Sequence, residues 1–417
     1  MHNPQVAIIG GGPAGMAAAL AAWDEGARDI LILERDVCLG GILNQCIHNG
    51  FGLHRFKEEL TGPEYAERYA ARVRELGIPV WTGTMVIDMA RDGTLTAVNP
   101  DGVHRVKAAS TVLAMGCRER PRGALNIPGS RPAGVLTAGT AQKFVNLDGY
   151  LPGNKVVILG SGDIGLIMAR RMRLEGAEVK AVVELMPYSG GLKRNIVQCL
   201  DDYGIPLLLS HTVTQIIGNG RVEGVTVAQV DAGRNPIPGT EQDIDCDALF
   251  LSVGLLPENE LSRAAGVELH PVTGGAVVGE SLQTSLEGVF ACGNVLHVHD
   301  LVDYVSAESE QAGRSAARHA LGAAFPLDGI PVKASGGVRY TVPAKINPAR
   351  IGDEAIIRFR VADVYRDKHV VVYLDGQRVY RRARRMLAPG EMETVVLKRE
   401  VFEKNPSASC LTVTIEE

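Results

Sequence analysis

Two glycine-rich hexapeptides, Gly10-Gly11-Gly12-Pro13-Ala14-Gly15 and Gly160-Ser161-Gly162-Asp163-Ile164-Gly165, constrain this chain more than any other feature. Each follows an apolar run (6–9; 156–159) and opens a stretch of small residues suited to a helix. Each is then followed by a second apolar run ending in an acid, Glu34 or Glu184. The first glycine of such a turn permits the tight bend, and the second lets the backbone approach a pyrophosphate. The third allows the helix to pack on the strand, so that phosphates meet the positive end of the helix dipole. The acid, about 20 residues on, sits at the tip of the second strand, where it accepts hydrogen bonds from ribose hydroxyls. A chain built this way is α/β, with two Rossmann-like three-layer nucleotide-binding domains. Two nucleotides on one polypeptide imply electron transfer between them.

The repetition extends beyond the glycines. After each acid come a further strand (80–86; 206–209) and a polar hairpin region around Asp101-Gly102 or Asn219-Gly220. An apolar strand then ends at a glycine, Ala114-Met115-Gly116 in one copy and 248–252 with Val253-Gly254 in the other. The chain contains a duplicated unit. The first copy is expected over 1–130, closed by Pro121 and Ile127-Pro128-Gly129, and the second over 131–256, ending at Gly254-Leu255-Leu256-Pro257. Residues 257–330 carry a strand over 284–294 and a helix over 305–321. This segment is too short to fold alone and should return to complete the first unit, which leaves the second inserted in the first.

From about 331 to 417 the pattern alternates, at 356–361, 370–374, 394–397 and 411–415, with Asp375-Gly376 as a tight hairpin turn. These residues predict a small antiparallel β-sandwich. Its Arg378, Arg381, Arg382, Arg384 and Arg385 read as a solvated strand face.

The net charge of −5 over 417 residues gives no pull toward nucleic acid, which is not expected as a partner. Seven scattered cysteines form no secreted-type disulfide framework, so a reducing cytoplasm is expected. No apolar run approaches the roughly 18 residues of a membrane helix, and the first strand begins with no apolar leader before it. Direct membrane insertion is not expected, and self-association is compatible with this composition.

With these motifs in order, residues 4–325 resemble the two-dinucleotide flavoprotein reductases of the pyridine nucleotide-disulfide oxidoreductase superfamily. Further support comes from Gly288-Val289-Phe290-Ala291-Cys292-Gly293-Asn294. The resemblance implies FAD on the first signature and NAD(P)H on the second. It assigns Gly10, Gly12, Pro13, Ala14, Gly15, Glu34, Arg35 and Gly41 to FAD, with Val86, Ala114 and Gly116 around the adenosine half. Gly293 and Asn294 would meet the ribityl chain, Asn294 standing where the group usually has Asp. The first-turn amides of Val305 and Ser306 would face the flavin. Gly160, Gly162, Asp163, Ile164, Gly165, Glu184 and Gly254 would hold the nicotinamide nucleotide. More narrowly, Gly40-Gly41-Ile42-Leu43-Asn44-Gln45-Cys46-Ile47-His48 and His297-Val298-His299-Asp300 resemble subunits that accompany a second flavoprotein, such as an anaerobic glycerol-3-phosphate, opine or hydroxyproline dehydrogenase.

Glu184 bears on the choice of nucleotide. A 2′-phosphate about 4 Å from a carboxylate, at an effective dielectric of 20, loses about 4 kcal/mol per charge pair. NAD(H) is therefore expected over NADP(H). The dithiol pairs C-x2-C and C-x4-C are absent, because Cys38 and Cys46 are eight apart. Cys46 alone is a candidate peroxide-reactive thiol, which makes a free-standing NADH oxidase or peroxidase the rival reading and a non-catalytic assembly subunit the second rival. His48 and His299 are the candidate proton donors or acceptors beside the flavin. His297-x-His299-Asp300 lacks further ligands nearby in sequence, and no metal is expected.

Overall fold

A computed structural model describes the whole chain, Met1–Glu417. Its backbone divides into two compact units, one of Met1–Asn44, Asn49–Cys117 and Pro257–Glu417, the other of Gln45–His48 and Arg118–Leu256. The first unit centres on a five-stranded parallel sheet in the order 289–291, 110–113, 6–9, 30–33, 80–81. The second has the matching sheet, 135–137, 248–251, 155–159, 178–184, 207–209, also parallel. Each carries a three-stranded antiparallel sheet, 85–107 in one and 211–245 in the other. Strand Val289–Ala291 joins the first sheet after the second unit has been traversed, so the insertion expected from the sequence is present. It spans three residues rather than the whole of 284–294.

The first boundary falls at 117, not at 130. Leu125 and Ile127 pack on the second unit's core, and the Ile216 N–H donates to the Pro128 carbonyl at 3.0 Å. The Pro-Gly turn is thus part of the second unit's wall rather than a linker.

Small residues explain how closely the first unit packs. Helix Pro13–Asp24 begins with proline at its first turn and buries Ala14, Ala17, Ala18, Ala21 and Ala22. Against it lies the long helix Val302–Ala320, where a Cβ on Gly313 would stand 2.1 Å from the Ala18 carbonyl oxygen. Helix Gly62–Glu75 starts at a capping box in which Thr61 and Glu64 satisfy each other's backbone N–H.

The C-terminal residues form two facing sheets, one of five strands and one of three, around a core that includes Ile357, Phe359, Val372, Leu397 and Val413. Most pairings are antiparallel, but Ile330–Ala334 runs parallel to Leu411–Glu416. Asp375 and Gly376 both take positive φ, 46° and 83°, as a tight hairpin turn needs. The sandwich is not a separate body: Tyr340 and Val342 are buried in the core of the first unit.

Candidate active site: two nucleotide cradles and a buried charge cluster

The two signatures repeat in atomic detail. Gly10 and Gly160 take φ of 107° and 95°, and their N–H groups donate to Leu33 and Val183 carbonyls at 2.8 and 2.7 Å. At these glycines an added Cβ would stand 2.4 Å from the Ala114 oxygen or 2.1 Å from the Ser252 oxygen. At Gly15 it would stand 1.8 Å from the Gly10 oxygen, which is the close helix–strand approach expected of the third glycine. Both acids are buried and clamp their own glycine turns. Glu34 accepts from the Gly11 and Asp36 N–H groups at 2.5 and 2.7 Å. Glu184 accepts from the Ser161 and Met186 N–H groups at 2.8 Å each, and from the Ser161 hydroxyl at 2.6 Å.

At the first cradle a Cβ on Gly12 would meet only the Gly41 Cα, at 3.9 Å, so the two glycine backbones approach closely and the turn has room for no more than an ordinary contact. Ala114, whose oxygen lies against Gly10, is buried, as is Val86; Gly116 has positive φ with open space beside it, and Arg35 is exposed. The second cradle is more furnished. Ser252 Oγ accepts from the Gly165 N–H at 3.1 Å, and Asp163 Oδ1 is already taken by the Leu192 N–H and the Asn195 amide at 2.8 and 2.6 Å. Asp163 therefore clasps the 189–195 loop, a role its place in the motif did not reveal. Ile164 is partly buried against the second unit's core, and Gly254 has positive φ.

Several expected contacts are corrected. The long helix starts at Val302, not Val305, so the Val305 N–H is already bonded to the Leu301 carbonyl at 3.3 Å. Ser306 is fully buried with its hydroxyl 2.8 Å from the Tyr65 hydroxyl. Neither residue offers a first-turn amide to a ligand. The Asn294 side-chain oxygen accepts from the His299 N–H at 2.9 Å and its amide points at Cys117 Sγ, 3.5 Å away. The Asn thus uses a donor that Asp lacks, and it braces its own loop. Gly293, with φ of 70°, lies against Ala14 and Val305, whose atoms would be 2.8 and 3.3 Å from an added Cβ.

The candidate catalytic residues divide between the two units. Cys46 and His48 belong to the second unit, whereas His299 belongs to the first. Burial pushes the Cys46 thiol up to about 12, so at neutral pH it is no thiolate, and its sulfur lies 3.8 Å from Gln142 Oε1. Burial, with the nearby charges of Arg194 and Arg170, pushes His48 down to about 4, leaving it a neutral acceptor at pH 7.

What the sequence reading missed is a buried charge cluster in the first unit. Glu308, on the long helix, accepts from the Gly293 N–H at 2.9 Å and pairs with His297 Nε2 at 2.7 Å and His299 Nε2 at 3.1 Å. Arg358, from the sandwich, places Nη1 3.5 Å from the same carboxylate. Burial alone would raise Glu308, but His297, His299 and Arg358 hold it well below the usual carboxylate range. Burial pushes His297 down to about 4. The signal in the sequence was a carboxylate on the small-residue face of a helix, in line with Val305, Ala312 and Ala316.

This cluster predicts acid lability. The unfolded chain protonates His297 near its ordinary 6.5 and the folded protein only near 4, so stability is full above about 6.5 and falls as pH drops toward 4. The loss from this imidazole approaches about 3 kcal/mol, and protonation of Glu308 adds to it below the usual carboxylate value. Thermal melts from pH 7.5 to 4.5 should show a falling midpoint, with a shallower fall in His297→Gln. A midpoint independent of pH would refute this.

A family model described as pyridine nucleotide-disulphide oxidoreductase matches residues 4–320. The chain belongs to this family. Among curated proteins it is 30% identical over 305 residues to the F subunit of alkyl hydroperoxide reductase from Pseudomonas putida, covering 70% of this chain and 53% of that protein. It is 28% identical over 284 residues to the HcnB subunit of hydrogen cyanide synthase from Pseudomonas protegens, covering 63% and 58%. The chain thus spans about half the length of the curated relatives it matches. Thioredoxin reductase from T. acidophilum has the same fold over 77% of this chain and 100% of that one, with a TM-score of 0.63 at 24% identity. An NAD-dependent persulfide reductase from A. fulgidus matches 95% of this chain and 71% of that one, with a TM-score of 0.58 at 18% identity. Membership makes this a redox protein for which FAD and a pyridine nucleotide are the expected cofactors, and the glycine backbone of the first turn, with its buried acid, suits the former. No helix is long and apolar enough to cross a membrane.

Proposed function

We propose that this chain moves a hydride equivalent between NAD(H) and FAD and serves as the electron-transfer subunit of a larger dehydrogenase complex. The observation that carries this reading is the missing thiol relay. Within this chain no C-x2-C or C-x4-C pair occurs, and burial pushes the Cys46 thiol up to about 12. A disulfide reductase needs two thiols in exchange distance and one of them ionised, so electrons reaching the flavin must leave by another route. The loops 40–48 and 297–300, with their likeness to dehydrogenase-associated subunits, favour a second flavoprotein as that route.

Bound FAD supplies a two-electron acceptor for a nicotinamide hydride. The chain's own part is to bind and orient. Gly10, Gly12 and Gly15 let the backbone reach the pyrophosphate, and Glu34 presents a buried carboxylate at the strand tip for ribose hydroxyls. Glu184 does the same in the second cradle while repelling a 2′-phosphate.

Anaerobic mixing of the FAD-loaded protein with NADH should bleach the flavin absorbance near 450 nm, and Cys46→Ser should bleach at the same rate. Affinity purification from the native cell should bring down a second flavoprotein. A flavin that stays oxidised at every NADH concentration refutes the hydride transfer. Peroxide or oxygen turnover that collapses in Cys46→Ser would instead support an oxidase or peroxidase.

A further inference from the structure

We propose that the Glu308–Arg358 pair is a charge-balancing element of the flavin site, in which the C-terminal sandwich supplies the cation and both residues act as positioning residues for the Gly293–Asn294 turn. The inference rests on the reading of the first unit as the FAD-binding one.

The geometry is specific. Glu308 is fully buried and accepts from the Gly293 N–H, so the helix carboxylate holds the turn that would meet the ribityl chain. Arg358 comes from strand Glu354–Val361 of the sandwich, is itself buried, and faces Glu308 at 3.5 Å. Two residues along the same strand, Arg360 repeats the arrangement. Its guanidinium donates to the Val298 carbonyl at 3.0 Å and stands 3.5 Å from Asp300. The 297–300 segment and the carboxylates around it are thus met by two cations from one strand. A buried carboxylate without a counter-charge is strongly unfavourable, so the cluster needs Arg358, and Arg358 reaches it only if the sandwich is docked.

His297, His299 and Glu308 also place three metal-ligating atoms within 4.8 Å of one another. A divalent cation is the poorer reading. Glu308 and Arg358 already sum to zero charge, and two further positive charges would be buried without a partner. The His297 and Glu308 atoms, 2.7 Å apart, are placed for a shared hydrogen.

Charge balance makes a prediction that a purely structural role does not. Glu308→Gln leaves Arg358 uncompensated and favours electron uptake by the flavin, whereas Arg358→Met leaves Glu308 uncompensated and disfavours it. At pH 8 and a fixed applied potential, the ratio of reduced to oxidised FAD should rise about tenfold in the first variant and fall about tenfold in the second. Arg358→Lys should stay near wild type, and the double variant Glu308→Gln/Arg358→Met should return toward it, which keeps the test valid if Arg358→Met alone fails to fold. Shifts of the same sign, or none, in FAD-loaded variants overturn the proposal, as does a stoichiometric metal ion in the purified protein. A wild-type protein that neither retains nor takes up FAD overturns the underlying flavin reading instead.

Discussion

Alanine at Gly12 is expected to leave the apoprotein's melting temperature within about 2 °C of wild type while weakening FAD binding roughly tenfold to hundredfold. The same change at Gly15 should damage both. At Gly12 the backbone has an ordinary φ of −74° and the nearest atom to an added Cβ is 3.9 Å away, so the folded chain tolerates the methyl. The ligand does not, because the methyl occupies the space through which a pyrophosphate approaches the helix N-terminus, and each charged hydrogen bond lost there costs about 1.5–3 kcal/mol. At Gly15 the Cβ would stand 1.8 Å from the Gly10 oxygen, so helix and strand must separate. Overpacking of this kind costs about 1–3 kcal/mol or more, and a drop of about 5 °C follows for a domain of this size. Melts with and without added FAD, together with flavin fluorescence titration, separate the two effects. Equal FAD affinity in Gly12→Ala and wild type would remove this cradle from the cofactor site.

The second large effect concerns the nicotinamide nucleotide. The wild-type protein should favour NADH over NADPH by several hundredfold in kcat/KM, from about 4 kcal/mol of repulsion between Glu184 and a 2′-phosphate. Glu184→Gln should recover about a hundredfold of NADPH use. The amide keeps an acceptor for the Ser161 N–H, now at 2.8 Å from the carboxylate, but its NH2 then faces the Met186 N–H that the other oxygen accepts, so the 184–186 backbone must shift slightly. NADH use should fall only about tenfold, the worth of one weakened charged hydrogen bond. A wild-type protein that reduces its flavin equally fast with both nucleotides contradicts this reading of Glu184.

The duplicated core could be read from the residues because each part of it is local. Gly10, Gly15 and Glu34 lie within one strand–turn–helix–strand stretch, and the hydrogen bonds of Gly10 and Glu34 recur at Gly160 and Glu184. The sandwich strands were legible for a similar reason, since alternation at 356–361 and 411–415 marks a half-buried face. Other features were not. The helix start depends on Leu301 accepting from Val305, and on Asp303 holding the His54 N–H at 2.9 Å, a partner 249 positions away. The first unit boundary moved because Leu125 and Ile127 find their apolar partners in the later strands of the second unit. Of the two candidate proton-transfer histidines, His48 falls in the second unit, where its neighbour Gln45 bonds to Gly139 and Gln142 at 2.9 and 3.0 Å, and His299 in the first.

Short-range chemistry therefore settles that this chain builds two anion-cradling turns and repeats one nucleotide-binding plan, because glycine spacing, strand polarity and the terminal acid act over about two dozen residues. Which charges neutralise which is decided by tertiary packing. Glu308 and Arg358 are separated by half a hundred positions and meet because the sandwich docks on the first unit, where a lone buried charge would be too costly to keep.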